Sequence, residues 1–275
     1  MIDVHGKKHI PKIKEKTGLS LKKPRHGIRR AKKVDTKLSL ARQLGLNVKK
    51  IVLDPGHGAN DPGCSFGKIK EKDIVLKLTK RVAQKLRKRL GCKVLLTRKC
   101  DRFLSLEQRT AFANVNKADL FISLHVNSYP RNSKIHGVET YFLNMATDER
   151  AVMVAARENA TSKKNISDLQ SILYDLMLNT KITESNRLAH EIQNGVLGTL
   201  KKRYSSVKNL GVKQAPFYVL IGAEMPAVLI ETGFITNPLE RRRLLSNRYL
   251  DTFAEGIARG IESYIKGIEK GYIGG

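Results

Sequence analysis

The sequence predicts an α/β protein built on a largely parallel β-sheet with helices on both faces. From residue 50 onward, short apolar runs typical of buried strands alternate with longer segments of helical periodicity. Most of these runs are continuously apolar, as in strands buried on both faces. A chain of 275 residues with 41% apolar content is also long enough to bury one sizeable core.

Six strands are predicted along the chain. Five are short apolar runs, and the one at 137–143 alternates apolar with polar residues. In chain order the strands are KIVLD (50–54), KVLLT (93–97), DLFISLH (119–125), GVETYFL (137–143), FYVL (217–220) and AVLIE (227–231).

The helices follow from periodicity. In 72–90, apolar residues recur at i+4 spacing, and Gly91 just beyond them is a stop signal. The segment 104–116 predicts a second helix, and two or three more fill 148–202. A final helix is expected near 248–266. The apolar stripes that define these helices are Ile74, Leu78, Val82, Leu86 and Leu90; Leu188, Ile192, Val196 and Leu200; and Leu250, Phe253, Ile257 and Ile261.

The net charge of +27 is concentrated at the N-terminus, where residues 1–50 hold 16 lysines and arginines against three acidic residues. Few large apolar residues occur there, so residues 1–48 are predicted to be a disordered basic arm ahead of a domain at 49–270. Such an arm suits nucleic acid, anionic lipid or an acidic wall polymer, or it is a solvated tail. The chain has no tryptophan and no nucleic-acid-binding motif, which argues against a specific nucleic-acid partner.

Cysteine and apolar patterns exclude other classes. Cys64, Cys92 and Cys100 form no CxxC pair, so we expect free or buried thiols rather than a structural zinc site, although one disulfide is possible in an oxidising compartment. The sequence contains no run of eighteen apolar residues, so no transmembrane helix is predicted. The apolar stretch that marks a signal peptide is not visible either.

Ionisable residues lie at the ends of three predicted strands. His57 follows the first strand in a glycine-rich turn, and His125 and Glu231 end the strands at 119–125 and 227–231. Glu71 precedes the helix after the first strand. Because the carboxyl ends of parallel strands share one edge, these four side chains can converge there.

Two imidazoles and one carboxylate are the protein ligands of many catalytic zinc sites, and a further carboxylate can act as general base. Zinc lowers the pKa of a bound water from about 15.7 to about 7, which makes hydroxide available at neutral pH. The alternative is that these residues are separate strand-end groups with structural hydrogen bonds, because no local HExxH-type motif accompanies them.

Seven segments stand in the order found in zinc-dependent N-acetylmuramoyl-L-alanine amidases. The resemblance is to the amidase_3 family of cell-wall and cell-division enzymes, and it covers roughly residues 49–267. The segments are IVLDPGHGANDPG, EKDIVLKL, VLLTRKCDRFLSLEQRTAFAN, ADLFISLHVNS, GVETYFL, LGVKQAPFYVL and PAVLIETGFITNP.

The resemblance implies a fold and a reaction. The fold is a twisted, mostly parallel six-stranded sheet with flanking helices. The reaction is hydrolysis of the amide between N-acetylmuramic acid and L-alanine of the peptidoglycan stem peptide, for wall remodelling and daughter-cell separation. One Zn²⁺ would be held by His57, Glu71 and His125, with a zinc-bound water as nucleophile and Glu231 as general base. The alternative hypothesis is a catalytically inactive relative that binds the wall or nucleic acid, and the intact ligand set argues against it.

Three further residues match the family pattern or depart from it. Arg109 and Asn127 match motif positions and are candidates for positioning the substrate, although a structural hydrogen-bonding role is favoured for Arg109. Cys64 stands where relatives often have a small residue. We expect it to be a packed side chain rather than a competing metal ligand.

An insertion at about 144–186 is longer than a strand-to-helix connection needs. It is either an ordinary packed helical segment or, by the resemblance, a regulatory helix in which Glu158 of the ARENA stretch blocks the zinc. In that case a LytM-type activator would withdraw it. The resemblance also implies a monomer located in the periplasm or associated with the cell wall.

Overall fold

Eight strands and six α-helices form the described part of the chain, which comprises residues 48–146, 148–161 and 180–273 of a computed structural model. The strands are β1 (Lys50–Pro55), β2 (Ser65–Phe66), β3 (Ile69–Lys70), β4 (Lys93–Leu96), β5 (Leu120–Asn127), β6 (Val138–Leu143), β7 (Asn209–Ala215) and β8 (Ala227–Phe234). The helices are α1 (Glu71–Leu90), α2 (Leu106–Val115), α3 (Glu149–Glu158), α4 (Thr180–Leu200), α5 (Pro238–Leu244) and α6 (Asn247–Ile273).

One six-stranded sheet carries the fold, in the order β4-β1-β5-β8-β6-β7. Every neighbouring pair is parallel except β6 and β8, which run antiparallel. The predicted fold class, a mostly parallel six-stranded sheet with flanking helices, is therefore confirmed. Strands β4, β1, β5 and β8 point the same way, so their carboxyl ends lie along one edge.

Alternate residues of each central strand feed two cores. In β1, Ile51 and Leu53 belong to the core to which α1, α4 and α6 contribute, whereas Val52 belongs to the opposite core with Phe121 and Tyr141. All of these side chains are essentially inaccessible to solvent. Burial on both faces explains why the strands read as continuous apolar runs.

Helix α4 is fixed firmly to α6 through a line of glycines. A Cβ atom built on Gly195 would lie 2.6 Å from the backbone of both Gly256 and Gly260. The two helix backbones therefore touch directly, which only glycine permits at this position. This contact anchors the chain immediately after the inserted segment.

The strand predicted at 217–220 is wrong. Residues Tyr218–Leu220 form a buried turn of 3₁₀ helix, and the edge strand is β7, which ends at Ala215, two residues before the predicted strand begins. A four-residue apolar run indicates burial but not backbone geometry. Most of β7 is only half-buried, so it carries no continuous apolar signal.

Other elements agree with the pattern or were not predicted. Helix α2 begins with a capping box, in which Ser105 accepts from the Gln108 amide and Gln108 bonds back. The β2–β3 hairpin and α5 were not predicted.

None of the helices in the described part is both long and apolar enough to span a lipid bilayer. The predicted basic arm, except for Val48, and residues 162–179 of the predicted insertion lie outside the described residues.

Candidate active site

The carboxyl ends of three adjacent parallel strands bring the predicted site residues together. His57 follows β1, His125 lies near the end of β5, and Glu231 lies in β8. His125 and Glu231 are direct neighbours in the register of β5 and β8. Glu71, the first residue of α1, returns to the same edge because only the loop at 56–64 and the short β2–β3 hairpin separate it from β1.

The loop after β1 aims the His57 imidazole. His57 itself adopts a left-handed backbone conformation, with φ of 59°. Its Nδ1 lies 2.8 Å from Oδ2 of Asp61, which leaves Nε2 facing the site. Gly63 passes so close that an added Cβ would lie 2.5 Å from Oε2 of Glu71. The glycines of this loop therefore allow the backbone to approach the site side chains.

Four side chains form one group that could hold a metal ion: His57, Glu71, His125 and Glu158. The Nε2 atom of His57 lies 3.2 Å from Oε1 of Glu71 and 3.2 Å from Oε2 of Glu158. The Nδ1 atom of His125 lies 3.1 Å and 2.9 Å from the same two oxygens. All four ligand atoms lie within 4.8 Å of one another.

These spacings suit a tetrahedral zinc site. Ligands about 2.0–2.1 Å from zinc in a tetrahedron lie about 3.3 Å from one another. Among the described residues, Nε2 of His57 and Oε2 of Glu158 are buried without a hydrogen-bond partner, although each lies close to other site atoms. Two buried polar atoms that face the same point and lack hydrogen-bond partners indicate a bound cation, which would accept their lone pairs. The donor set therefore fits a divalent cation.

The group is electrostatically coupled. Burial lowers the pKa of His125, but the Glu158 and Glu71 carboxylates outweigh burial and raise that pKa to about 9. The pKa of His57 is likewise raised well above its usual value, since Glu71, Asp61 and Glu158 outweigh burial. The carboxylates thus attract positive charge to the site. A divalent cation would replace the protons on the two imidazoles.

Glu231 stands beside this group and is fully buried. Burial raises its pKa well above the usual value, and nearby Glu158 and Glu71 add to the effect while Arg157 and His125 oppose it. Its Oε2 atom is buried without a hydrogen-bond partner among the described residues. A carboxylate with a raised pKa and a free oxygen is suited to proton transfer.

Arg157 and Glu158 both reach the site from the end of α3. Glu158 is buried within the four-residue group, and its Oε1 accepts from Nε of Arg157 at 2.8 Å. Nη2 of Arg157 lies 3.3 Å from Oε1 of Glu231, and Nη1 donates to Oδ1 of Asn127 at 3.1 Å. Helix α3 therefore contacts the four-residue group and the Glu231 carboxylate at the same time.

Arg109 lies outside this centre, in the support beneath it. Its buried guanidinium pairs with Asp54 at 2.9 Å and donates to the carbonyls of Pro55, His57 and Leu104. Cys64 also packs locally: its Sγ donates to the Val126 carbonyl and its amide to Oε2 of Glu71. Among the described residues all three cysteines are free thiols, and Cys64 is not in the metal group.

Three contributors were not identified from the sequence. Asp61 fixes the His57 ring, and the only available signal was a carboxylate four residues away in the same turn. Glu139 accepts from Nδ2 of Asn127 at 2.8 Å from within an alternating strand, where a buried glutamate resembles a surface residue. Arg157 had no signal of its own beside Glu158.

Comparison with known proteins identifies the family of the chain. Residues 51–263 match the Amidase_3 family, described as N-acetylmuramoyl-L-alanine amidase. The chain is 35% identical over 227 residues to N-acetylmuramoyl-L-alanine amidase AmiA of Escherichia coli strain K12, which covers 78% of this chain and 75% of AmiA.

Solved structures show the same fold. An N-acetylmuramoyl-L-alanine amidase from Clostridium difficile 630 aligns with a TM-score of 0.63 and 30% identity, over 80% of this chain and 98% of that one. The CwlD amidase of Clostridioides difficile, in complex with the GerS lipoprotein, aligns with a TM-score of 0.60 and 25% identity, over 80% and 99%. The chain therefore belongs to the Amidase_3 family and is an amidase of peptidoglycan.

Proposed function

We propose that this amidase is a zinc enzyme in which His57, Glu71 and His125 hold the metal and Glu231 is the general base. The observation that carries the proposal is the convergence of two imidazole nitrogens and two carboxylate oxygens at spacings suited to tetrahedral zinc. Bound zinc would polarise the scissile carbonyl and supply a water-derived nucleophile at neutral pH.

The protein's own residues would then move one proton. The Glu231 carboxylate takes a proton from the water that adds to the carbonyl carbon. When the carbon–nitrogen bond breaks, Glu231 returns this proton to the nitrogen of L-alanine, which leaves as a free amine. The raised pKa and free Oε2 of Glu231 support both halves of this transfer.

We further propose that the described conformation is an inhibited one. Glu158 lies where a fourth ligand would bind, 2.9 Å from Nδ1 of His125 and 3.2 Å from Nε2 of His57. A carboxylate in that position would exclude the nucleophilic water. Arg157 at the same time contacts Glu231, the proposed base. Both contacts come from α3, so displacement of this one helix would uncover the metal position and free the general base at the same time.

Activation then requires a partner that binds the displaced state of α3 more tightly, since only differential affinity shifts a population. Exposed apolar residues Met145, Val152 and Met153 on and before α3 offer a contact surface for it. A LytM-type activator is our proposal for this partner. The CwlD relative in complex with a lipoprotein shows that an amidase of this fold can bind another protein.

The biological setting completes the proposal. A monomer acting on peptidoglycan at the cell wall or in the periplasm, during daughter-cell separation, fits an amidase that is held inactive until a partner binds. The basic arm and body suit a wall substrate that carries carboxylates.

One assay tests the enzymatic part. Purified protein is analysed for metal, and dye release from labelled peptidoglycan is measured before and after treatment with a chelator and after zinc is restored. We expect one zinc per chain and activity that follows zinc content. Full activity in protein depleted of all metals would contradict the zinc assignment.

A further inference from the structure

The guanidinium of Arg157 occupies a set of three hydrogen-bond acceptors beside the proposed base. Nη1 donates to Oδ1 of Asn127 at 3.1 Å and to the carbonyl oxygen of Ser128 at 3.0 Å. Nη2 reaches Oε1 of Glu231 at 3.3 Å. These oxygens would lose the guanidinium once α3 moved away, although Oδ1 of Asn127 would keep the hydrogen bond from the Ser128 amide at 2.7 Å.

The acceptors at Asn127 and Ser128 are held mainly by contacts outside α3, although Arg150 of α3 pairs with Glu139 at 2.9 Å. The Asn127 amide is oriented by Glu139, which accepts from Nδ2 at 2.8 Å, so Oδ1 must face the other way, toward Arg157. The main chain is fixed on both sides of Ser128. The Asn127 carbonyl accepts from the Ile235 amide, and the Tyr129 amide donates to Thr236. Asn127 and Glu139 are both buried.

Glu139 is therefore a positioning residue for Asn127. It is fully buried and is the register neighbour of Glu231 across β6 and β8. The shift in register between His125 and Asn127 lies next to this point in β5. Such irregularities redirect side chains at functional sites.

Preformed acceptors near a reacting bond select for donors. A buried acceptor that is left without a donor costs about 1–3 kcal/mol, so the substrate-bound enzyme is more stable when a donor of the substrate replaces the guanidinium. The peptide side of the substrate has suitable donors, because each residue of the stem peptide carries an N–H. A pocket continues from the guanidinium, with α3 as one wall, and displacement of α3 would widen it for the peptide. Its other residues include Asn127, Ser128, Tyr129 and Phe234.

We infer that Asn127 Oδ1 and the Ser128 carbonyl form a subsite for the stem peptide, and that Arg157 occupies it in place of substrate. In the open enzyme these two oxygens accept the N–H of the second stem residue, one peptide unit beyond the scissile amide at Glu231. The inference deepens the proposed function and rests on the assignment of Glu231 as base. Arg131, which lies outside α3, is a further cation of the pocket and suits a peptide that carries carboxylates.

A pair of soluble substrates tests this subsite. One is an N-acetylmuramoyl dipeptide, and the other is its analogue in which an ester oxygen replaces the N–H of the second residue. Each is assayed for kcat/KM with the full chain and with Asn127→Ala, both in an Arg157→Met background that also carries Glu158→Ala, so that the guanidinium and the blocking carboxylate are both removed. Asn114→Ala on α2 is the matched control, because the side chain of that asparagine bonds to the loop at Gly222 and Glu224.

We expect the enzyme with Arg157→Met and Glu158→Ala to prefer the amide over the ester by about 10-fold, and Asn127→Ala to reduce this preference to about 2-fold. The control should keep the full preference. An unchanged amide-to-ester ratio in Asn127→Ala, or no preference in the parent, would overturn the inference. Because the ratio cancels effects common to both substrates, a wrong zinc or base assignment would not produce either result.

Binding gives a second readout that does not need turnover. The free dipeptide product, with amide or ester linkage, is titrated into wild type and Arg157→Met by calorimetry. Removal of the competing guanidinium should tighten binding of the amide product by about 10-fold and change binding of the ester little. Equal affinity of the amide product for both proteins, or no binding to either, would refute the subsite.

Discussion

The Oε2 atom of Glu158 lies 2.9 Å from Nδ1 of His125, although α3 and β5 are separate elements of the fold. The pKa of Glu158 is held well below its usual value, because His125 and Arg157 outweigh the effect of burial. The carboxylate is therefore charged and able to compete for a cation at the four-residue group. This contact leads to the first prediction.

Glu158→Ala should raise basal hydrolysis of purified sacculi by about 10-fold or more without any activator. A factor of ten corresponds to about 1.4 kcal/mol, which is a modest share of what a buried charged contact contributes. Initial rates are compared at equal zinc occupancy. Glu149→Ala, an exposed change in the first turn of the same helix, is the control and should stay near wild type. A well-folded Glu158→Ala protein no faster than wild type would refute the blocking role.

His57→Ala and His125→Ala should each lower zinc content and abolish wall hydrolysis. Each change removes one of two imidazoles whose nitrogens face the centre. Zinc is measured by elemental analysis after dialysis, and folding is checked by circular dichroism. His190→Ala, at an exposed position of α4, should retain zinc. Full occupancy in His125→Ala would remove that residue from the ligand set.

Glu231→Gln should keep its zinc and its fold but lose about 10²–10⁴-fold in turnover. The amide has nearly the same shape as the carboxylate and cannot accept the proton. Rates on a soluble muropeptide are measured beside those of Glu224→Gln, an exposed change that precedes β8. Near-normal turnover would place the base on another residue.

Arg109→Met should destabilise the fold by about 3–5 kcal/mol at neutral pH, because the buried Asp54 carboxylate loses its cation. In wild type, burial would raise the pKa of Asp54, but Arg109 and hydrogen bonds from Thr97 and Ser123 outweigh burial and hold it below its usual 3.8. The Asp54–Arg109 pair makes its full contribution to the unfolding free energy above pH 3.8. This contribution is lost as the pH falls through the lowered pKa of Asp54 in the folded protein.

In the Arg109→Met variant the shift of the Asp54 pKa changes direction, since a buried carboxyl without a neighbouring cation has a raised pKa. Its penalty is present above pH 3.8 and disappears in acid. The difference in unfolding free energy between wild type and variant, measured with urea, should therefore narrow below about pH 4. Arg81→Met breaks the partly exposed pair with Asp251 and should cost less than about 1 kcal/mol. A difference in unfolding free energy that does not change with pH would show that the Asp54 carboxyl is not the cause of the destabilisation.

Removal of residues 1–45 should weaken binding to anionic wall material, mostly at low salt, and leave hydrolysis of a small muropeptide unchanged. The reason is the excess of positive charge in that segment, whose attraction to polyanions is screened by salt. Wall co-sedimentation at several salt concentrations measures the effect. A large loss of turnover on the small substrate would show that the arm contributes to the site.

The sequence predicted the sheet and the position of the site because both depend on local patterns. Central strands such as β5 are buried on both faces, so their apolar runs are unmistakable, and their last residues must lie on one edge. That argument places His125 beside Glu231. Edge strand β7 escaped prediction because its partly exposed residues carry no such pattern.

Side-chain partnerships of the site could not be predicted in the same way. The bond from Asn127 to Glu139 depends on pairing between non-sequential strands, and the reach of Arg157 to Glu231 depends on how α3 packs. Family resemblance suggested Glu158 as a blocking residue, but neither periodicity nor spacing indicated it. Long-range contacts of this kind follow from tertiary packing, which leaves little trace in local sequence.

The glycine contact between α4 and α6 also bears on how inhibition would end. The chain leaves the sheet at Leu143 and rejoins a fixed part of the fold at α4, so α3 is tethered at both ends. A displaced α3 stays at an effective concentration in the millimolar range relative to the site. Its return needs no second molecule and does not depend on protein concentration. The enzyme would therefore reset itself when the activator dissociates, and hydrolysis would last only as long as the partner remains bound.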